Sequence, residues 1–209
     1  MIVFDIETGP LPSEHLAKVM PEFRAPANYK DQTKIEAYVS ESRELWRQNA
    51  ALSALTGRVL AIGVSMDGET KVIGLEDESE TINWFWLQWQ DARMTRGNEK
   101  FVGFCVKPFD LPFLVQRSWI HGVHVPFDVF EGRYWNSAFI DLQERWLCGG
   151  RDSRGASLDA VCRAFGLEGK HGTGADFARL WESDRYAAFA YLKHDLWLTR
   201  QLAERMGVS

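Results

Sequence analysis

The chain has 209 residues, 45% of them hydrophobic and 13% aromatic, which is enough to fill the core of one sizeable α/β domain. Its 24 Lys and Arg against 29 Asp and Glu give a formal charge of −5, which excludes a coating protein that holds polyanions through a global basic field. No basic segment followed by an apolar run opens the chain and no apolar stretch reaches membrane-spanning length, so the expectation is a soluble, cytoplasmic protein.

In chain order, "IVFDI" reads as a buried inner strand ending near Asp5 and Glu7. The chain from Thr8 to Gly57 changes character. Pro10, Pro12, Pro21 and Pro26 punctuate its first half, and "DQTKIEAYVSESRELWRQNAALSAL" is polar and helix-compatible, so residues at about 9–57 read as an inserted, largely helical arm on a single 1–209 domain. An arm of that length is expected to be functional or disordered, and its hypothesised role is a helical flap over the substrate end. "GRVLAIGVSM", "DG" and "ETKVIGL" predict an antiparallel hairpin. In "SETINWFWLQWQDARM" Ser79 is a candidate N-cap, and Ile82, Phe85, Trp86 and Trp89 fall at helical spacing, which makes the tryptophans core.

"KFVGFCV" predicts the next strand, and "FDLPFLVQRSWIHGV" a helix from about Asp110 with Pro112 in its first turn. "AFIDL" is a short extended piece. "SLDAVCRAFGL" places Leu158, Val161, Cys162 and Phe165 on one stripe and stops at Gly166. "GADFARLW" is a shorter helix, and a long final one starts at Ser183 or Asp184. Cys105, Cys148 and Cys162 form no C-x-x-C pair and are odd in number, as expected of core thiols in a reducing compartment.

The acidic residues carry the chemistry. Asp5 and Glu7, two apart on a strand, leave the same face and can converge on one hard cation. Asp195 has Tyr191 one helical turn before it, and Asp110 stands where a strand feeds a helix. Carboxylates gathered at one sheet edge raise each other's pKa unless cations compensate, and a pair of divalent ions can bridge the attacking water and leaving oxygen of a phosphodiester.

The stretches "VFDIET", "GFCVKPFDLPFL" and "YLKHDLWLT" resemble, in order and content, the three motifs of the DEDD group of 3′-to-5′ exonucleases. The Y-x-x-x-D spacing of Tyr191 and Asp195 resembles the tyrosine branch, DEDDy, which includes the proofreading domains of family B DNA polymerases. "SLDAVCRAFGLEGK" is similar to the connecting helix after the second motif. The resemblance implies an RNase H-like α/β fold: a mixed five-stranded sheet, its first three strands antiparallel, with helices on both faces. It implies that Asp5, Glu7, Asp110 and Asp195 bind two divalent ions, Mg²⁺ or Mn²⁺. Asp5 would bridge both, Glu7 and Asp195 would hold the ion that activates water, and Asp110 would serve the second. Tyr191 would orient the water, since a phenol of pKa about 10 is a poor base at neutral pH.

Two departures stand out. Cys105 holds a place where relatives often carry Asn, so a polar contact is missing or supplied by another group. His194 precedes Asp195, but the histidine branch needs its His at the position of Ala190, so His194 is assigned a structural or solvent-facing role.

Thr8 and Gly9 are candidate contacts to the terminal nucleotide and Phe109 a candidate stacking residue, against a strand-ending turn and a core aromatic. Asp141 reads as a support for the site or a helix N-cap. Lys107, Arg151, Arg154, Lys170, Lys193 and Arg200 are candidate phosphate contacts, against ordinary solvated charges. The function expected is a stand-alone, metal-dependent 3′-to-5′ exonuclease releasing nucleoside 5′-monophosphates. Its partner is nucleic acid with a 3′ end, single-stranded or frayed DNA before RNA. The alternatives are an exoribonuclease and a catalytically weak binding module on the same fold.

Overall fold

A mixed five-stranded sheet organises the chain. The computed structural model describes residues 1–97, 99–130, 138–150, 156–170, 172 and 174–208. The strands are β1 (Ile2–Pro10), β2 (Gly57–Met66), β3 (Glu69–Ile73), β4 (Phe101–Gly103) and β5 (Phe139–Asp141), in the spatial order β3-β2-β1-β4-β5. β2 pairs antiparallel with β3, while β4 pairs parallel with both β1 and β5. The helices are α1 (Ser13–Val19), α2 (Gln32–Gln48), α3 (Glu78–Arg96), α4 (Leu111–His121), α5 (Leu142–Trp146), α6 (Leu158–Ala164), α7 (Gly174–Ser183) and α8 (Arg185–Arg205). None of the described helices is long and apolar enough to cross a membrane.

Successive strand residues point to opposite faces, and the sequence uses both. Phe4, Phe101 and Phe139 meet the buried face of α3, with ring centroids 5.3 Å apart for Phe4 and Phe85 and 4.6 Å for Trp89 and Phe139. Val3 and Leu60 pack instead with Phe177, Trp181, Leu192 and Leu196 from α7 and α8. Val102 packs with Val161, Leu198 and Leu202 from α6 and α8. Helices therefore cover both faces, as an RNase H-like fold requires. The tryptophans Trp86 and Trp89 are core, each less than 3% exposed.

By its internal contacts the chain divides into two units, Met1–Glu7 with Val59–Ser209, and Thr8–Arg58. The second contains α1, α2 and a short 3-10 turn at Ala50–Leu52. Asp31 caps α2 by accepting from the N–H of Thr33 at 2.9 Å. The hydroxyls of Thr8 and Thr56 each donate to a carbonyl of that turn, Ala51 and Ala50, at 2.8 Å. Neither α1 nor α2 buries a single residue.

Several boundaries differ from expectation. β1 does not stop at the acidic pair but continues to Pro10. Asp77, not Ser79, caps α3: its carboxylate accepts from the Ser79 N–H at 2.8 Å. β4 is only three residues long, because Cys105 turns into the left-handed region at φ 66° and a π-helical turn, Val106–Asp110, follows. Gly103 is required at that break, since a Cβ there would lie 2.2 Å from Val106 Cγ1 and 2.9 Å from the Phe4 carbonyl oxygen. Only Cys162 is a core thiol; Cys105 is half-buried and Cys148 exposed.

Candidate active site

The alternation of β1 that buries Val3 beneath α8 sends Asp5 and Glu7 to the same face. On α8, Leu192 and Leu196 pack on Val3 and so fix the rotation of the helix that carries Tyr191 and Asp195. One carboxylate oxygen from each of Asp5, Glu7 and Asp195 lies within 4.8 Å of the others. Glu7 and Asp195 are buried and Asp5 is partly exposed. Asp110 arrives at the end of the π-helical turn. Its Oδ1 accepts the N–H of Ile6, between the acidic pair, at 3.1 Å, and the carboxyl is 3% exposed.

Crowding has electrostatic consequences. Burial, then the charge of Asp195, pushes Asp5 up to about 7. Glu7 and Asp110 are raised well above the usual carboxylate range, by burial first and by Asp5 second. Burial also raises Asp195, against the lowering influence of Lys170. Four carboxyl groups held this way favour protons or cations. Their donor set is oxygen alone, without thiolate or imidazole, which suits a hard divalent ion such as Mg²⁺ or Mn²⁺.

Tyr191 lies beside this cluster. Its ring packs edge-on to Phe177 at 6.0 Å, and its buried hydroxyl has no hydrogen-bond partner among the described residues. Burial, then Asp195, pushes the phenol up to about 12, so it remains neutral at physiological pH.

Lys170, read from sequence as one of several scattered cations, is the residue that sequence reasoning missed. Its Nζ stands 2.5 Å from Asp195 Oδ2 and 5.3 Å from the centre of the Tyr191 ring. Burial disfavours the ammonium, but the carboxylates of Asp195 and Asp5 outweigh it and raise Lys170 above its ordinary value. Its backbone N–H donates to Asp159 on α6 at 2.8 Å, and His194 of α8 reaches the neighbouring Gly169 carbonyl at 3.3 Å. His194 is thus half-buried against that segment. No periodicity marks Lys170, because it lies on the irregular segment between α6 and α7.

The remaining candidates separate. Phe109 is half-buried and packs on Phe113 at 5.6 Å. Thr8 and Gly9 belong to the Thr8–Arg58 unit, where the Thr8 hydroxyl is occupied by Ala51. Lys107 pairs with Glu144 at 2.6 Å, Arg200 donates to the Ser65 carbonyl at 2.8 Å, and Lys193 is exposed. Arg151 and Arg154 lie outside the described residues.

A family model described as "predicted 3′-5′ exonuclease related to the exonuclease domain of PolB" matches residues 51–199. That span holds Asp110, Tyr191 and Asp195. No curated protein matches the sequence. Among solved structures, the family B DNA polymerase of the hyperthermophilic archaeon Pyrobaculum calidifontis superposes with a TM-score of 0.62 at 20% identity. The match covers 98% of this chain and 24% of that one, so the chain spans about a quarter of the polymerase's length and shares its fold over that quarter.

Proposed function

Because this chain belongs to the family of predicted 3′-to-5′ exonucleases related to the exonuclease domain of PolB, we propose that it acts alone to hydrolyse the terminal phosphodiester bond at the 3′ end of DNA and release a nucleoside 5′-monophosphate. The observation that carries this reading is the convergence of Asp5, Glu7 and Asp195 within 4.8 Å, with Asp110 docked on the same strand.

Asp5, Glu7, Asp110 and Asp195 would hold two divalent ions. Bound there, such ions acidify water and stabilise the negative charge that builds on phosphate oxygens during displacement. Asp5, flanked by both other groups, is placed to be shared. Asp195 and Glu7 form one side of the site with Tyr191, whose hydroxyl orients the attacking water. Asp110 joins them, with its orientation set by the Ile6 N–H. Lys170 sustains the ionised form of Asp195 by direct pairing. The Y-x-x-x-D arrangement on α8 supports the tyrosine branch, because the hydroxyl and not His194 faces the carboxylates.

The test is cleavage of a 3′-labelled and a 5′-labelled single-stranded DNA, with Mg²⁺, Mn²⁺ or chelator. Early release of labelled mononucleotide from the 3′ end, abolished by chelator, is expected. Release from the 5′ end, or cleavage that ignores chelation, contradicts the reading.

A further inference from the structure

Asp141 is a buried carboxylate, 1% exposed, at the end of β5. It accepts four backbone N–H groups. Oδ1 takes those of Gln143 at 2.9 Å, Glu144 at 3.2 Å and Cys105 at 3.0 Å, and Oδ2 takes that of Lys107 at 2.9 Å. The first two bonds are the ordinary N-cap of α5. The other two cross to a different segment, the start of the π-helical turn that ends in Asp110.

That turn has an unusual need for an outside hold. It opens on Cys105 in the left-handed region, which favours glycine, and the Phe109 N–H reaches the Cys105 carbonyl only at 3.3 Å. Neither feature fixes the turn strongly by itself. Asp141 fixes its first residues, and the Ile6 N–H fixes its last side chain. The segment is thereby clamped at both ends against the parallel strands β1 and β5. α5 is only five residues long, and two bonds suffice to cap it.

We propose that Asp141 is a positioning residue for Asp110: its carboxylate bridges α5 to the Cys105–Lys107 backbone and so sets where Asp110 presents its oxygens to the divalent ions and the scissile phosphate. The inference rests on the reading of Asp110 as a metal-binding carboxylate. Groups that orient a metal ligand typically change metal affinity or activity by about 10- to 100-fold when removed.

Two variants separate the clamp from the cap. Asp141→Ser keeps an oxygen that caps α5 but is too short to hold Cys105 and Lys107. Asp141→Asn keeps one acceptor and places an NH₂ against one of the N–H groups. Ser157→Ala, which removes the N-cap of α6 (Ser157 Oγ to Ala160 N–H, 3.2 Å), is the control for helix destabilisation alone. The measurements are Mn²⁺ affinity by calorimetry, kcat and KM on a single-stranded oligonucleotide, and Tm. Both Asp141 variants are expected to weaken Mn²⁺ binding and lower kcat about 10-fold or more with KM within about twofold, beyond anything Ser157→Ala does at an equal loss of Tm. Wild-type Mn²⁺ affinity and kcat in both variants overturn the inference, as do losses that Ser157→Ala reproduces. A wild-type protein that binds Mn²⁺ yet cleaves nothing sinks the exonuclease reading instead, and Mn²⁺ affinity in the variants then decides the role of Asp141.

Discussion

Lys170 Nζ lies 2.5 Å from Asp195 Oδ2, so the most buried carboxylate of the site is held by a cation from an irregular segment far from it in sequence. Removing one partner of such a pair leaves a buried charge without compensation, which costs up to about 3 kcal/mol. Lys170→Met is therefore expected to lower Tm in chelator by several degrees, and saturating Mn²⁺ is expected to recover much of the loss. Equal Tm for variant and wild type in chelator contradicts this.

The pH dependence has a definite sign. Folding raises Asp5 to about 7 and raises Glu7 and Asp110 as well, so the folded chain binds their protons more tightly than the unfolded chain. In chelator, the stability these groups contribute is complete below their ordinary pKa range and is lost as pH rises toward 7. Cation binding requires the ionised forms. Mn²⁺ affinity should therefore climb as pH rises through about 7, the value to which Asp5 is pushed, as read by calorimetry. A flat affinity across that pH would falsify the assignment of these groups as ligands.

Tyr191→Phe keeps the ring contact with Phe177 and deletes only the hydroxyl. The expected result is a fall in kcat of about 10- to 100-fold with Mn²⁺ affinity within about twofold. If the variant cleaves at the wild-type rate while His194→Ala is inert, the tyrosine branch is the wrong assignment.

The frame of the fold was readable in the residues. Alternation along "IVFDIET" put Val3, Asp5 and Glu7 on one face, the "DG" dipeptide marked a real turn with Asp67 at φ 50° and Gly68 at φ 82°, and the spacing on α8 joined Tyr191 to Asp195. Periodicity speaks only for regular elements, however. The π-helical turn, the Lys170 segment and the N–H groups that Cys105 and Lys107 give Asp141 belong to irregular backbone, where no repeating pattern exists to read. The Glu78 network was hidden for a different reason. At the start of an amphipathic helix a Glu looks like a solvated first-turn charge, yet Glu78 accepts from Val59 N–H at 2.8 Å and takes both Nε and Nη2 of buried Arg117 at 2.9 and 2.6 Å.

That network joins α3, α4 and the start of β2 and should govern stability without touching cleavage chemistry. Arg117→Met leaves the Glu78 carboxylate buried with much of its partner set gone, at a cost of about 3–5 kcal/mol, or roughly 10 °C in Tm for a chain of this size. Thermal unfolding checks it, and a change of less than about 2 °C would show that water or His121 replaces the guanidinium.

The departure at Cys105 takes on a physical meaning. At φ 66° a residue tolerant of left-handed backbone fits best, and Asn is one of the few that does. Cys105→Asn is expected to raise Tm slightly, and Cys105→Val, with its branched Cβ, to lower stability by about 1–2 kcal/mol. A stabilising Val at this position contradicts the backbone conformation described.

The most direct test of the central claim is cleavage of end-labelled single-stranded DNA, duplex DNA and RNA by the wild-type protein and by Asp5→Ala, each in Mg²⁺, Mn²⁺ and chelator. Stepwise shortening from the 3′ end is predicted, fastest on single-stranded DNA, absent in chelator and absent in a folded Asp5→Ala variant. Tight nucleic-acid binding without shortening on all three substrates, or wild-type cleavage by Asp5→Ala, would contradict the account.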